Sequence, residues 1–435
     1  MNICMFRMSE LSSKIPPQFL RNMILHELKE PAVFSGLLEW SILSWSLKDW
    51  GEKLGNKIMP FRSGVRKSTS TPQWERTCST THLTMQQFVE LVESNAHPCS
   101  STETEDEKWL YFDYKYMHEW FIDNPQILQT VNWAPLGFPE TTGLQSSVWI
   151  GSDGAHTPCH MDSYGCNLVA QIYGTKQWIL FPPDKSEQML PTRIPYEESS
   201  VYSKHNFFCP RIKTELEGAR VVMLKPGDVL FVPHHWWHYV ENIGTAISIN
   251  TWIPLISDDS ARLEESLVKL FMSQVCKDHP QPDLILNPNE DDVATWPLIA
   301  SVKLVQTCVE KCKERNPSNV KKPEAEVANI PEKVIMDMGE HSGSSDKTIV
   351  DVTKYKDIIT PIRQWTVLKF RKFLLKKRKR FKTKKIKRIS KSHLDTATER
   401  LINAFCHPDV ISKVKDILYY EYQRSNPDVS LNQKR

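Results

Sequence analysis

The sequence predicts a mainly β domain with helical additions, in which early and late strands lie side by side as in a barrel. Residues 148–150 are apolar and run into a Gly-Ser-Asp-Gly turn at 151–154. A second turn signal, Lys-Pro-Gly-Asp, ends at residue 228 and precedes apolar stretches at 229–232 and 246–252. Short apolar runs bounded by Gly, Pro and Asp are typical of buried strands.

A His-x-Asp pair and a distant histidine accompany these predicted strands. His160 and Asp162 follow the first turn, where we expect His160 to begin a strand, and His238 precedes the last predicted strand. Because strand side chains repeat every two residues, His160 and Asp162 should point to the same face. Two imidazoles and one carboxylate make the facial triad that holds Fe(II) and leaves further coordination positions open. Since a chain with 14 histidines can contain His-x-Asp by chance, this prediction depends on the strand context.

The segments around these residues resemble the JmjC family. They are WIGSDGAHTPCHMDSYGCNLVAQIYGTKQWILFPP at 149–183 and LKPGDVLFVPHHWWHYVENIGTAISINTW at 224–252. They are most similar to hydroxylase-type members, and PTRIPYEESS at 191–200 resembles the members associated with small heat-shock proteins. The resemblance extends from about residue 16 to about residue 260. It implies a double-stranded β-helix, the jelly roll of cupin type.

The resemblance also implies 2-oxoglutarate as cosubstrate. Lys176 matches the lysine that binds its distal carboxylate, Thr157 and Tyr111 match hydroxyl donors to that group, and Asn167 and Asn250 match asparagines that flank the iron end. Apart from the resemblance, a lysine on an apolar strand is costly to bury unless an anion meets it. The alternatives are that Lys176 reaches solvent from a strand edge, and that Asn250 is an ordinary polar residue of a sheet.

Taken together, the motifs and the family resemblance imply an Fe(II)- and 2-oxoglutarate-dependent oxygenase that hydroxylates a protein side chain. One alternative is a non-enzymatic adaptor with the JmjC fold, which binds a small heat-shock protein and modulates its role in the stress response. Histone lysine demethylation ranks lower, because the sequence lacks cysteine clusters of chromatin readers.

Two departures from the family pattern leave the substrate open. Residues 163–166 hold one residue more than the hydroxylase pattern, so we expect a bulge or a reshaped wall there. Asp113 stands where the related hydroxylase has a substrate-facing glutamine.

Composition limits the other possibilities. A chain of 435 residues, 40% hydrophobic and 25% charged, can bury one large domain with appendages. No run approaches the roughly 18 apolar residues of a membrane helix, and residues 1–16 lack a signal-peptide pattern. The 10 cysteines form no paired framework, and Cys159 and Cys166 are expected to be small buried hydrophobes. We therefore expect a cytoplasmic protein, with nuclear entry allowed.

The chain divides into six predicted segments. They are the N-terminal part of the oxygenase domain (16–108), the jelly-roll core (109–257), a helical segment (258–315), a flexible linker (316–350), a basic segment (351–391) and a helical hairpin (392–435). Helices are predicted at 18–28, 259–276, 296–315, 395–405 and 409–420 from their apolar spacing. The helices that follow the core either pack on the barrel or form a homodimer.

The segment from Lys369 to Lys391 is strongly basic. It holds fourteen Lys or Arg residues and no acidic residue, whereas the whole chain has a net charge of only +3. Such a block is typical of segments that bind nucleic acid or import receptors. A solvated tail without a partner and an amphipathic helix on a membrane surface are alternatives. We expect the block to form an arm that the linker separates from the barrel.

Overall fold

The computed structural model describes residues 15–94, 108–212, 214–315, 355, 357–381, 394 and 396–424. The strands are β1 (Ala32–Ser35), β2 (Met59–Val65), β3 (Ser79–Leu83), β4 (Lys108–Tyr116), β5 (Asn132–Trp133), β6 (Phe138–Thr142), β7 (Ser147–Gly151), β8 (His156–Asp162), β9 (Cys166–Phe181), β10 (Pro191–Glu197), β11 (Ser200–Ser203), β12 (Arg220–Leu224), β13 (Asp228–Val232), β14 (Trp237–Ile253) and β15 (Ile359–Pro361). The helices are α1 (Pro17–Asn22), continued by a π turn (Met23–Glu27), α2 (Leu47–Leu54), α3 (Met85–Ser94), α4 (Met117–Trp120), α5 (Pro125–Thr130), α6 (Asp258–Lys277), α7 (Leu298–Arg315), α8 (Val367–Arg378), α9 (Thr396–Phe405) and α10 (Pro408–Arg424). Short 3-10 turns lie at Ser41–Ser44, Glu75–Thr77, Ala134–Leu136, Gly143–Gln145, Pro183–Lys185, Glu187–Met189, Pro282–Leu284 and Pro288–Thr295.

Two long antiparallel strands, β9 and β14, join the two walls of the domain. Residues 237–243 of β14 pair with the second half of β9 and with β8, while residues 246–253 pair with the first half of β9 and with β7. The wall that holds β8 continues through β11 to β10, and the other continues from β7 through β4 and β2 to β3. This connectivity confirms the predicted jelly roll of cupin type.

The first half of β9 is buried on both of its faces. Leu168 and Ala170 pack into a large core with α1 and α2, whereas Val169 packs into a separate cluster with Leu180 and Leu230. Alternation of side chains along the strand accounts for this division. The N-terminal elements thus cover one face of the sheet.

One prediction for the metal ligands' strand is wrong in detail. His160 and Asp162 lie at the end of β8, which begins at His156, and not at the start of a strand. The two side chains still lie on one face of the strand. Residues two apart share a face wherever they lie along a strand. His160 pairs directly with His238 of β14 across the ladder.

The helical segment and the C-terminal hairpin pack into one further core. Leu263 and Met272 of α6, Val309 of α7, and Ile402 and Cys406 of the hairpin share a buried cluster. The predicted helices over 259–276, 296–315, 395–405 and 409–420 are present with small shifts at their ends. Their packing on the domain agrees with one of the two predicted arrangements, and the homodimer stays a prediction.

Residues 359–381 pack on the barrel, whereas a detached arm was expected for the basic block. Ile359–Pro361 adds a strand to the edge of β1, and Phe370 and Leu374 of α8 are buried against Phe181 and its neighbours. The interpretation as an arm separated from the barrel is therefore wrong for residues 369–381. The reason is that apolar residues alternate with the lysines at helical spacing, so one face of α8 can be buried.

Other predictions lie outside the described residues. These are the linker 316–350 and the basic residues 382–391. Within the part of the chain that the structure describes, no helix is long and apolar enough to cross a membrane. Cys159 and Cys166 are buried, with 1% and 3% of their surfaces exposed, as predicted for small hydrophobes.

Candidate metal and cosubstrate site

His160, Asp162 and His238 converge at one point between β8 and β14. One ligand atom from each of the three side chains can be chosen so that all lie within 4.8 Å of one another. The His160 and His238 ring centroids are 4.2 Å apart, and His160 Nε2 is 3.5 Å from Asp162 Oδ1. Two imidazoles and one carboxylate at this spacing fit the donor set that Fe(II) prefers in a facial triad.

The hydrogen bonds of the two histidines orient their free nitrogens. Nδ1 of His160 lies 2.9 Å from the carbonyl oxygen of Pro158, and Nδ1 of His238 lies 2.9 Å from that of Trp236. Since a carbonyl only accepts, Nδ1 carries the proton in both rings and Nε2 keeps its lone pair. Burial lowers the pKa of His238 to about 4, and the neighbouring His160 lowers it further in the same direction. Nε2 of His160 and Nε2 of His238 can therefore serve as metal ligands.

Hydrogen bonds from indole and amide groups fix the orientation of Asp162 and of the two asparagines near the triad. Trp252 Nε1 donates to Asp162 Oδ2 at 2.9 Å, which leaves Oδ1 directed towards His160. Trp149 Nε1 donates to Asn250 Oδ1 at 2.7 Å, and Asn250 Nδ2 donates to Asn167 Oδ1 at 2.9 Å. Such outer partners fix the orientation of ligand groups. Asn250 is thus part of an ordered chain of hydrogen bonds and not an isolated polar residue of the sheet.

Lys176 lies deep inside the barrel. Only 1% of its surface is exposed, which excludes the alternative that it reaches solvent from a strand edge. Its Nζ donates to Ser248 Oγ at 2.6 Å and to Tyr111 Oη at 3.2 Å. Among the described residues, no carboxylate lies within ion-pair distance of this ammonium group.

The surroundings of Lys176 fit a carboxylate ligand. Burial lowers the pKa of Lys176 to about 7, and the charge of Asp113 offsets this only in part. Burial also raises the pKa of Tyr111, whose hydroxyl is hydrogen-bonded to Thr157 and stays a proton donor. A buried cation beside hydroxyl donors is stabilised when an anion binds. The residues present therefore fit the distal carboxylate of 2-oxoglutarate.

A cleft of about 810 Å³ opens from the triad to the surface. His160, Asp162, Thr157 and Trp149 form its floor, and β10, β11 and the segment around Asn287 form part of its wall. A volume in this range can accommodate a side chain or a short peptide segment. Two of the three ligand side chains, His160 and Asp162, consequently line a space that a substrate can enter.

The two departures from the family pattern both lie at this cleft. Residues 163–165 form the turn between β8 and β9, and Tyr164 and Gly165 line the cleft. The extra residue thus reshapes the wall through a turn and creates no strand bulge. Asp113 also lines the cleft, where it pairs with Arg62 at 2.6 Å.

Sequence reasoning missed several residues of the site. Ser248 and Trp252 lie two residues on either side of Asn250 on β14, so alternation along the strand would have placed all three on one face. His234 and His235 lie just before His238 in the sequence. They stack on each other, and His234 Nδ1 lies 3.1 Å from the Gly165 carbonyl oxygen, outside the triad.

The chain is similar to known proteins over the domain that holds this site. The family model described as a cupin-like domain matches residues 16–257. HSPB1-associated protein 1 of Mus musculus is 42% identical over 278 residues, covering 61% of this chain and 57% of the relative. The HSPB1-associated protein 1 homolog of Danio rerio is 42% identical over 284 residues, covering 62% of this chain and 63% of the relative.

More distant similarity extends to proteins whose names refer to the JmjC domain or to demethylation. JmjC domain-containing protein F of Dictyostelium discoideum is 27% identical over 151 residues, covering 29% of this chain and 31% of the relative. Lysine-specific demethylase 8 of Xenopus tropicalis is 24% identical over 234 residues, covering 52% of this chain and 48% of the relative. The chain spans less than two thirds of the length of the relatives it matches. The match over residues 16–257, together with the jelly roll described above, shows that the chain belongs to the cupin-like JmjC family.

Proposed function

We propose that this protein is an Fe(II)- and 2-oxoglutarate-dependent oxygenase that hydroxylates a protein side chain. The observation that carries the proposal is the placement of Lys176. A buried ammonium group without a carboxylate partner among the described residues lies in the same barrel interior as three convergent metal-binding side chains. A structural scaffold gains no stability from an uncompensated buried charge, whereas a site for an anionic cosubstrate requires it.

Each residue has a distinct part in the proposed activity. His160, Asp162 and His238 hold the metal, while Lys176, Tyr111 and Thr157 bind the distal carboxylate of the cosubstrate, and Asn167 and Asn250 order the polar groups nearby. Iron with 2-oxoglutarate supplies O₂ activation, with release of succinate and CO₂. Trp252 keeps Asp162 in place through its indole hydrogen bond. The buried walls around Lys176 exclude water from the cosubstrate.

The test is metal analysis and succinate production by the purified protein. Wild type is expected to bind one Fe(II) and to convert 2-oxoglutarate to succinate in the presence of a polypeptide substrate. The doubly substituted His160→Ala, Asp162→Ala protein loses two of three ligands, so it should bind no Fe(II) tightly and form no succinate while the barrel stays folded.

Met161→Leu is the matched control for these substitutions. Met161 lies between the two ligands on β8, and its side chain packs in the cluster around Trp237 on the other side of the strand. This variant should retain metal and turnover. Full-occupancy Fe(II) in the doubly substituted protein would contradict the assignment of the ligands.

A second candidate function is an adaptor that binds a small heat-shock protein. The specific observation is the name of the relatives, HSPB1-associated protein 1, at 41% to 43% identity. We propose that this chain binds a small heat-shock protein as well, in a role linked to the stress response. If purified HSPB1 binds the wild-type chain and the metal-free variant equally, and no succinate forms with any polypeptide, the adaptor is the better description.

A further inference from the structure

The cleft in front of the triad is strongly acidic. Eight acidic side chains line the cleft, but only three basic side chains do. The acidic residues are Glu75, Asp113, Glu119, Asp162, Glu197, Glu198, Asp258 and Glu290, and the basic residues are Arg62, Lys115 and Arg262. Arg62 is already paired with Asp113, and the Arg262 guanidinium lies over the Tyr164 ring at 4.5 Å. Arg62 thus neutralises Asp113, and Lys269 lies 4.0 Å from Glu290, which leaves six carboxylates of the cleft against Lys115 and Arg262.

Glu197 is the centre of a group of side chains on one wall. Its carboxylate accepts hydrogen bonds from Tyr202 Oη, from Asn287 Nδ2 at 2.7 Å and from Asn289 Nδ2 at 3.2 Å. No lysine or arginine in the described part of the chain lies within ion-pair distance of it. These neutral donors orient the carboxylate but leave its negative charge without a cation.

Asn287 provides a second observation at this wall of the cleft. Only 1% of Asn287 is exposed, the residue lines the cleft, and its Oδ1 accepts no hydrogen bond. The amide cannot turn over to satisfy this oxygen, because Nδ2 must face the carboxylate of Glu197 and the oxygen of Tyr202. A buried acceptor without a donor costs free energy, so the site is suited to a ligand that donates hydrogen bonds.

Neighbouring groups favour a ligand that is also positively charged. Burial raises the pKa of Glu75 to about 7; the charges of Asp113 and Glu197 contribute in the same direction, and that of Arg62 opposes them. The Trp74 ring, whose centroid is 5.4 Å from that of Tyr202, also lines the cleft and offers an aromatic face. A carboxylate pair, an unsatisfied acceptor and aromatic rings are the surroundings that bind guanidinium or ammonium groups.

The group is close to the triad and yet distinct from it. Tyr202 pairs with His160 across the ladder of β8 and β11, and their ring centroids are 5.9 Å apart. The phenol oxygen at the far end of the ring bonds Glu197. A ligand at Glu197 and Asn287 is thus separated from His160 by the Tyr202 ring but lies in the same cleft.

We propose that Glu197, Asn287 and Glu75 form a specificity subsite for an arginine or lysine side chain of the polypeptide substrate, next to the residue that is hydroxylated. The proposal rests on the proposed function for the identity of the substrate as a polypeptide. The subsite itself consists of side chains that do not bind the metal. Its occupation can therefore be measured without turnover.

The test uses N-acetyl-arginine methylamide as the probe and N-acetyl-citrulline methylamide as its neutral match. Citrulline has the size and shape of arginine, but a urea replaces the guanidinium. Binding to the full chain is measured by ligand-observed NMR titration, with and without a chelator. We expect the arginine probe to bind at least tenfold more tightly than the citrulline probe in both conditions.

Three variants assign this preference to the subsite. Glu197→Gln should abolish the preference for arginine, and Glu75→Gln, whose carboxylate holds no hydrogen bond among the described residues, should reduce it at least threefold. Glu119→Gln removes the same charge from an exposed position in the cleft and should leave the preference unchanged. Thermal unfolding identifies any variant that fails to fold, and Glu75→Gln then decides alone.

Equal binding of the two probes to wild type would overturn the proposal, as would an unchanged preference in the folded variants of Glu197 and Glu75. Because probe binding needs neither iron nor succinate formation, such a failure leaves the oxygenase assay intact. Conversely, a chain that forms no succinate but prefers the arginine probe would contradict the proposed function and retain the subsite.

Discussion

At the scale of single residues, Lys176 combines the features that a cosubstrate-binding cation needs. Its position on β9 places it inside the barrel, opposite Asn242 of β14, and Ser248 and Tyr111 supply oxygen atoms to its ammonium group. Burial lowers the pKa of Lys176 to about 7, because the surrounding hydroxyl oxygens offset the lost hydration less than a carboxylate would. Binding of an anion at this position should therefore be linked to protonation of the lysine.

This linkage predicts that 2-oxoglutarate binds more weakly as the pH rises from 7 to 10. Without ligand, Lys176 loses its proton near pH 7, whereas the dicarboxylate favours the charged ammonium and raises the pKa towards its ordinary value. Binding above pH 7 must then take up a proton. Calorimetric titration in buffers of different ionisation enthalpy measures that uptake directly, and an affinity independent of pH over this range would argue against it.

Lys176→Met is the control for this measurement. It removes the cation while keeping the length of the side chain, so 2-oxoglutarate binding should weaken by about 2 kcal/mol or more at pH 7, and the linked proton uptake should disappear. Fe(II) binding should persist, because Lys176 is not among the metal-binding side chains. Unchanged affinity would mean that another cation serves the distal carboxylate.

At the scale of elements, α8 is attached to the barrel through a buried ion pair. Lys377 of α8 bonds Glu241 of β14, whose side chain is fully buried and which also pairs with Arg380 at 2.8 Å. Tyr239 Oη donates to the same carboxylate at 2.8 Å. Although burial opposes ionisation of Glu241, the adjacent Lys377 and Arg380 lower its pKa to about 2.

Lys377→Ala is expected to destabilise the protein by about 3 kcal/mol, because the Glu241 carboxylate would stay buried with only one of its two cationic partners. The double variant Lys377→Met, Glu241→Gln removes both charges and should recover part of that loss. The free energy of unfolding of wild type, the single variant and the double variant is measured by denaturant unfolding, monitored by tryptophan fluorescence. Lys376→Ala, an exposed neighbour on α8, is the matched control and should change stability little.

The same pair predicts how stability depends on pH. Since the folded pKa of Glu241 is lower than its unfolded value, its contribution is complete above about pH 4.3 and is lost as the pH falls towards 2. Glu241→Gln should flatten the stability curve in that window. A curve identical to that of wild type would show that the charge of Glu241 does not support the fold.

At the scale of the whole molecule, short-range patterns predicted more than long-range packing did. The triad could be predicted because His160 and Asp162 lie two residues apart on a strand and the turn signals set the flanking strands. The helix α2 was not predicted, although Ser46 and Asp49 form a capping box at its start. The docking of α8 could not be predicted, because nothing near Lys377 indicates that its partner is Glu241, 136 residues earlier.

The acidic wall of the cleft also depends on long-range packing that the sequence did not predict. Glu197 lies on β10, whereas Asn287 comes from the segment between α6 and α7, so only the folded chain brings them together. The family model ends at residue 257, before that segment begins. Residues beyond the cupin-like domain thus complete the cleft in which the proposed chemistry takes place.

Residues 15–257 alone are therefore expected to be unstable. Glu265 of α6 makes a bidentate ion pair with buried Arg193, at 2.5 and 3.0 Å, and accepts a hydrogen bond from Ser163 in the turn after the ligand strand. Without α6, the guanidinium would be left uncompensated in an apolar setting and Tyr196 would be exposed, while loss of β15 would leave the edge of β1 unpaired.

Expressed alone, residues 15–257 should bind a hydrophobic dye and unfold without a cooperative transition, whereas the full chain should unfold cooperatively. The fragment should also bind Fe(II) weakly, because Ser163 and the turn after Asp162 lose their anchor on Glu265. Near-ultraviolet circular dichroism and thermal unfolding of the two proteins provide the comparison. A monodisperse fragment with the stability of the full chain would show that the cupin-like domain needs none of the helices that follow it.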